Sequence, residues 1–270
     1  MKSKIYDCIT FFNENLQANL RINILNEYVD KFVICESRFD HKGKPKDLNF
    51  KIEKLNKFKH KIIYIVLEEQ FPNISDPWKT QAYQRDFLLK SLKDAKPHDY
   101  IFFSDPDEIP NPKILINFDL KKKYGVFLQN CFNYKFNLFN PHESPWEGTR
   151  VAKKKDLKSI DFMRQKVRLK NLKYSFLRID KEKNIQVFNN AGWHFNNIMD
   201  PEKISTKLKT FAHTEFNKNK FFSPDIIRSK IKKRIDLFDR GHHYYMVNLD
   251  NSFPKYLIEN YEQYKDFILQ

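Results

Sequence analysis

Two carboxylates at i, i+2 stand out in Ser104-Asp105-Pro106-Asp107-Glu108, which follows directly on the apolar run Tyr100-Ile101-Phe102-Phe103. If that run is a buried strand, the acids sit at its carboxyl end, where open α/β sheets bind their ligands. In an irregular turn both carboxylates can reach one divalent cation, Mn²⁺ or Mg²⁺, whose remaining positions suit diphosphate oxygens. Such an ion would neutralise the charge that gathers on a departing nucleoside diphosphate. The same residues also spell an Asp-capped type I turn punctuated by Pro106 and Pro110.

A second constellation is Ala191-Gly192-Trp193-His194-Phe195, which follows an apolar run and precedes the helix-opening Asp200-Pro201-Glu202. Trp193 offers a stacking face for a sugar, and His194 can complete a metal sphere or meet a phosphate. The plainer alternative is a core tryptophan beside a hydrogen-bonded histidine.

These residues need elements to position them. Ile5 to Phe12, Lys31 to Cys35, Ile62 to Leu67 and Tyr100 to Phe103 are short, nearly continuous apolar runs separated by helix-compatible stretches. That alternation predicts an α/β fold whose strands are covered on both faces. Leu16, Leu20, Ile24 and Tyr28 recur at i+4 and predict an amphipathic helix over 16–28. Asp76-Pro77 opens a second predicted helix over 77–93, with Tyr83, Phe87, Leu88 and Leu92 apolar and Gln81, Gln84 and Arg85 on its other face. Aromatic runs at 124–128 and 132–139 and basic strand candidates up to Val187-Phe188 follow, and from about Asp200 the tail reads as helices.

Aromatic residues make up 16% of the 270 positions, so the chain can bury a sizeable core. Only 5 glycines are present and neither GxGxxG nor GxxxxGK[ST] occurs, which removes the chief signatures of dinucleotide and P-loop sites. The formal charge of +15 fits nucleic acid, an anionic membrane or a phosphorylated substrate. Lysine-rich runs at 121–123, 153–155 and 232–234 read equally well as solvated faces. Cys8, Cys35 and Cys131 sit among apolar residues, as buried thiols do, and no apolar stretch is long enough to span a bilayer. A cytoplasmic location, peripheral on the inner face of a membrane, is the expectation.

Seven segments together resemble glycosyltransferase family 17. They are Asp7-Cys8 with Phe11-Phe12-Asn13-Glu14; Val29 to Ile34 with Glu36-Ser37; Gly43-Lys44-Pro45; Ala82-Tyr83-Gln84-Arg85-Asp86; Ser104 to Pro110; Ala191 to Phe195; and Phe211-Ala212-His213-Thr214-Glu215. They occur in family order over roughly residues 5 to 216. The resemblance implies one GT-A-type, Rossmann-like domain over 1–270, with a nucleotide-sugar half over about 1–123 and an acceptor half with C-terminal helices over about 124–270. It further implies a UDP-sugar donor, which is UDP-N-acetylglucosamine in the animal members, inversion at the anomeric carbon, and a divalent metal on the Asp105/Asp107 motif, whose sphere His194 is the candidate to complete. By the same resemblance Glu36 lies where the base and ribose bind and Arg85 meets diphosphate or sugar hydroxyls; Asp105, Trp193 and His194 complete the expected nucleotide-sugar contacts. The expected acceptor is an oligosaccharide or glycolipid, on a bacterial or viral surface glycan rather than an N-glycan, with no nucleic acid partner.

Inversion in a single displacement needs a group to take the acceptor hydroxyl's proton. Glu147, in Pro145-Trp146-Glu147-Gly148, and Asp200 are the candidates, with Glu202 close behind; each also reads as a surface carboxylate or helix cap. Two other classes stay open. A metal-dependent nuclease would pair Asp107 with Asp119 of Asp119-Leu120-Lys121. A non-catalytic glycan- or membrane-binding module would follow if the acidic pair were only a turn.

Overall fold

A computed structural model describes residues 2–210, 221 and 223–270, with Thr210 described in its backbone alone. Strand β1 (Ile5–Phe11) runs parallel to β2 (Lys31–Ser37) on one side and to β4 (Tyr100–Ser104) on the other, and β2 pairs with β3 (Ile62–Leu67). All four match the apolar runs. Their side chains alternate between two cores: Ile5, Ile9, Phe32, Ile34 and Phe102 face one, whereas Cys8, Val33, Cys35, Ile101 and Phe103 face the other. β3 departs from the expectation of cover on both faces. It ends the strand order and is only half-buried over most of its length.

The sheet continues through antiparallel strands. β8 (Trp146–Lys153) pairs with β4 and with β6 (Tyr124–Asn133), and β6 goes on to β7 (Leu138–Phe139) and β11 (Tyr245–Met246). The expected halves, 1–123 and 124–270, thus share one sheet. The first aromatic run expected after residue 123 extends to Asn133 as the ten-residue β6, in which buried Gln129 donates to Thr149 Oγ1 of β8 at 3.2 Å; the second, 132–139, is split, its first two residues ending β6 and its last two forming β7. At its far end β6 pairs with β10 (Gly192–Asn196), which also lies antiparallel to the short β5 (Glu108–Pro110); β9 (Ile185–Phe188) lies on β6's near end.

Helix α1 (Asn15–Leu25) stops short of Tyr28 and is not simply amphipathic, since Gln17 and Arg21 are buried with its apolar residues. α2 (Pro77–Phe87) is capped by Asp76, whose Oδ1 accepts from Trp78 N at 3.0 Å, and tightens into a 3₁₀ turn through Ser91. After α3 (Pro112–Leu115), basic residues expected in strands form α4 (Ile160–Lys166), capped by Ser159. α5 (Pro201–Thr210) and helices at Pro224–Lys233, Lys255–Glu259 and Tyr261–Tyr264 give the helical tail. Phe253, Leu257, Tyr264 and Ile268 close the core under α1. The three cysteines are free and buried.

One polar feature crosses this core. Asp7, in the middle of β1, holds Arg21 of α1 through two bonds of 2.5 and 2.6 Å. The same guanidinium donates to Ser104 Oγ at 2.9 Å and to the carbonyl of Glu108. Arg21 is fully buried and Asp7 nearly so. Truncating one partner of a buried, hydrogen-bonded pair leaves the other charge unpaired. Arg21→Met is therefore expected to lower the unfolding free energy by about 3–5 kcal/mol in urea titrations. An unchanged midpoint would show that the pair carries no structural weight.

Candidate active site

A cleft of about 840 Å³ opens at the carboxyl ends of β1, β2 and β4. Residues 105–107 form its floor; α2 contributes Trp78, Gln81, Gln84 and Arg85 at helical spacing, and β10 contributes His194 and Asn196. Strand alternation decides the last pair: His194 and Asn196 face the cleft, so Trp193 and Phe195 face the core.

Glu108 organises the floor. It is fully buried; its Oε1 accepts from Trp146 Nε1 and Arg164 Nη2, both at 2.7 Å, and its Oε2 accepts from Asp105 N at 3.1 Å and Arg164 Nη1 at 3.2 Å. One carboxylate thus shapes the acidic turn, fixes the Trp146 ring and aims Arg164. Trp146 in turn stacks on His194 with centroids 4.7 Å apart. Arg164 reaches on to Asp105 Oδ2 at 2.5 Å, and Arg85 lies 3.8 Å from the other oxygen. Burial alone would raise the Asp105 carboxyl, yet Arg164 and Arg85 outweigh it and hold it below the ordinary carboxylate range. Asp107 behaves alike: burial opposes its charge, but Lys207 and His194, each 3.6 Å away, keep it strongly ionised.

The two aspartates have different partners: Arg164 and Arg85 hold Asp105, whereas His194 and Lys207 face Asp107. Bonds of about 2.0–2.2 Å from a metal to oxygen and nitrogen put two ligands of one ion roughly 3–4 Å apart. The 3.6 Å between Asp107 Oδ1 and His194 Nε2 falls in that range. The far ring nitrogen of His194 lies 3.6 Å from Cys131 Sγ, a contact that orients the ring. Among the described residues no three His, Cys, Asp or Glu side chains gather into a closed metal cage. Also among the described residues, Arg85 Nε and Gln81 Oε1 are buried without hydrogen-bond partners. Both residues line the cleft.

The other sequence candidates separate clearly. Arg85 lines the cleft and is anchored by Asp161 at 3.0 Å. Glu147 lines it too; its Oε2 accepts from Arg150 Nη2 at 3.0 Å and Leu169 N at 3.3 Å, while Oε1 carries no hydrogen bond among the described residues. Glu36 does not face the cleft. Its oxygens are taken by Lys46 Nζ, Asn49 N, Phe50 N and Tyr64 OH, so it pins the 46–50 segment. Trp193 is a core residue that donates to Ser252 O at 3.1 Å; the tryptophans that line the cleft are Trp78 and Trp146. Asp200 and Glu202 point to solvent, paired with Lys203 and Arg228 outside the cleft. Asp119 is exposed and likewise outside it, which removes the second carboxylate of the nuclease reading. Phe211 to Glu215 lie outside the described residues. Sequence reasoning missed Arg164 and Lys207; the Ser159 cap was the available signal for Arg164, since it marks the start of a helix rather than a strand.

The family model described as Glycosyltransferase family 17 matches residues 1–269. The chain belongs to glycosyltransferase family 17. The rat (Rattus norvegicus) beta-1,4-mannosyl-glycoprotein 4-beta-N-acetylglucosaminyltransferase is 24% identical over 97% of this chain and 54% of the rat protein. The human (Homo sapiens) protein of that name is 31% identical over 40% of this chain and 22% of its own length. The chain thus spans about half the length of the rat relative. Among solved structures, a glycosyltransferase involved in the glycosylation of the major capsid of PBCV-1 aligns at 14% identity and TM-score 0.34, covering 69% of this chain and 82% of that one. HddC from Yersinia pseudotuberculosis aligns at 11% and 0.39, covering 70% and 92%. Superpositions this loose carry no argument; the mixed sheet flanked by helices is read from the strand pairing itself.

In this family 17 chain the close approach of β10 to β5 rests on Gly192, whose φ is +139° and whose added Cβ would lie 2.1 Å from Ile109 O. Gly192→Ala is expected to lower the melting midpoint by roughly 5 °C or more in calorimetry. No change would show that β10 can move away from β5.

Proposed function

We propose that the chain transfers a sugar, N-acetylglucosamine or a related hexose, from a UDP-sugar to a glycan acceptor by an inverting displacement. The observation that carries this reading is the Asp107–His194 pair on the cleft floor, 3.6 Å apart, with the Asp107 carboxylate held ionised and the His194 ring braced through Trp146 by Glu108. Asp107 and His194 would hold Mn²⁺ or Mg²⁺, which when bound supplies charge neutralisation at the departing diphosphate. Arg85 and Lys207 add fixed cations for the same phosphates, and Arg85 Nε presents a buried donor to them. The names of the rat and human relatives supply the N-acetylglucosamine part of the proposal.

Of the carboxylates proposed to accept the acceptor's proton, Glu147 is the one on the cleft wall. Arg150 and Leu169 N hold one oxygen and so set the direction of the other. Trp146, next to it, gives the acceptor ring a flat apolar face beside that oxygen.

Calorimetric titration with UDP tests the donor half. Binding is expected to strengthen with Mn²⁺, and Asp107→Asn is expected to lose that strengthening by at least about tenfold in affinity. UDP binding indifferent to Mn²⁺ in both proteins would overturn the metal assignment. For the acceptor half, Glu147→Gln is expected to leave UDP affinity intact and to slow transfer by about 10²–10⁴-fold. Full transfer activity in that variant would remove Glu147 from the reaction.

A further inference from the structure

Residues 171–182 form a small closed loop beyond α4. Buried Asn171 ties its two ends, donating to Lys166 O at 2.7 Å and Glu182 O at 3.0 Å. Inside it, Arg178 N donates to Ser175 O and Lys181 N to Arg178 O, and Arg178 pairs with Asp180 at 2.7 Å. The loop is therefore a built tip. Its apolar side chains nevertheless point outward: Ile179 is 94% exposed, Phe176 83% and Leu177 72%, the three most exposed large hydrophobic side chains among the described residues. Leu172 and Tyr174 extend the patch. A contiguous apolar tip of this kind marks a surface that something covers.

The charges around it say what. Residues 166–183 carry seven lysines and arginines against two acids. Lys123, at the end of the 121–123 lysine run, reaches Glu182 at 3.7 Å and brings that run to the base of the loop. Outward-pointing Phe, Leu and Ile collared by lysine and arginine match an anionic bilayer, which takes the apolar tips below its headgroups and the cations among its phosphates.

We propose that the 171–182 loop is a membrane-insertion tip that docks the enzyme on an anionic lipid surface. It begins three residues after Arg168, which lines the cleft, so docking brings the active site close to the bilayer. The proposal stands apart from the donor reading, because binding to vesicles needs no nucleotide. Co-sedimentation with phosphatidylcholine vesicles, with and without about one part in three phosphatidylglycerol, tests it. Partitioning is expected to be at least about tenfold stronger on the anionic vesicles, and F176S/L177S/I179S is expected to lose about tenfold or more of it with its melting midpoint unchanged. In Phe176→Trp, tryptophan emission should shift to the blue on anionic vesicles. Equal partitioning on both vesicles, undiminished binding by the triple variant, or no blue shift would each overturn the proposal. So would a self-association in vesicle-free solution that the triple variant abolishes, since a second copy would then be the cover.

Discussion

A buried guanidinium holds this architecture together. Arg21 sits at zero exposure between a parallel strand and the turn that carries the acidic pair, and its donors are divided between Asp7, Ser104 and the carbonyl of Glu108. Removing two charges from water costs several kcal/mol per ion, recovered only when geometry and further hydrogen bonds are good. Here the fork is bidentate on the carboxylate and each guanidinium nitrogen carries at least one hydrogen bond, so the cost is met by order. The turn after β4 cannot shift without breaking that fork. Everything above it inherits the placement.

From Glu108 the constraint passes outward by contact. Its carboxylate fixes the Trp146 indole, the indole lies on His194, and β10 hydrogen-bonds back to β5, the strand that begins with Glu108. The floor is thereby closed into a ring of backbone pairing and side-chain bonds, with Asp107 and His194 facing inward. Asp105, on the same floor, is held by Arg164 and Arg85.

Much of this was legible in the sequence because it depends on local patterns. The four parallel strands were visible as apolar runs, and the acidic turn could be placed at the end of β4 from Tyr100-Ile101-Phe102-Phe103 alone. The face of α2 that carries Gln81, Gln84 and Arg85 followed from helical spacing. What stayed hidden depends on partners far away in the chain. Glu36 looked like a ligand residue at a strand end, yet Lys46, Asn49, Phe50 and Tyr64 claim it. Trp193 and His194 looked like neighbours in one site, but a strand sends them to opposite faces. Asp200 and Glu202 open a helix whose entry lies outside the cleft, whereas Lys207 of that helix reaches Asp107. Arg164 was hidden because a short, Ser-capped helix with basic residues resembles a polar strand when read one segment at a time.

In the proposed function Asp107 and His194, rather than the Asp105–Asp107 pair, would form the metal-binding half of a nucleotide-sugar site. Anomalous scattering at the manganese edge, from crystals of the protein grown with UDP and Mn²⁺, tests this most directly. One manganese peak bonded to Asp107 Oδ1 and His194 Nε2, with diphosphate oxygens on its open side, is the expected result. Manganese ligated by both aspartates without His194, or UDP seated in the cleft with no manganese beside it, would contradict it.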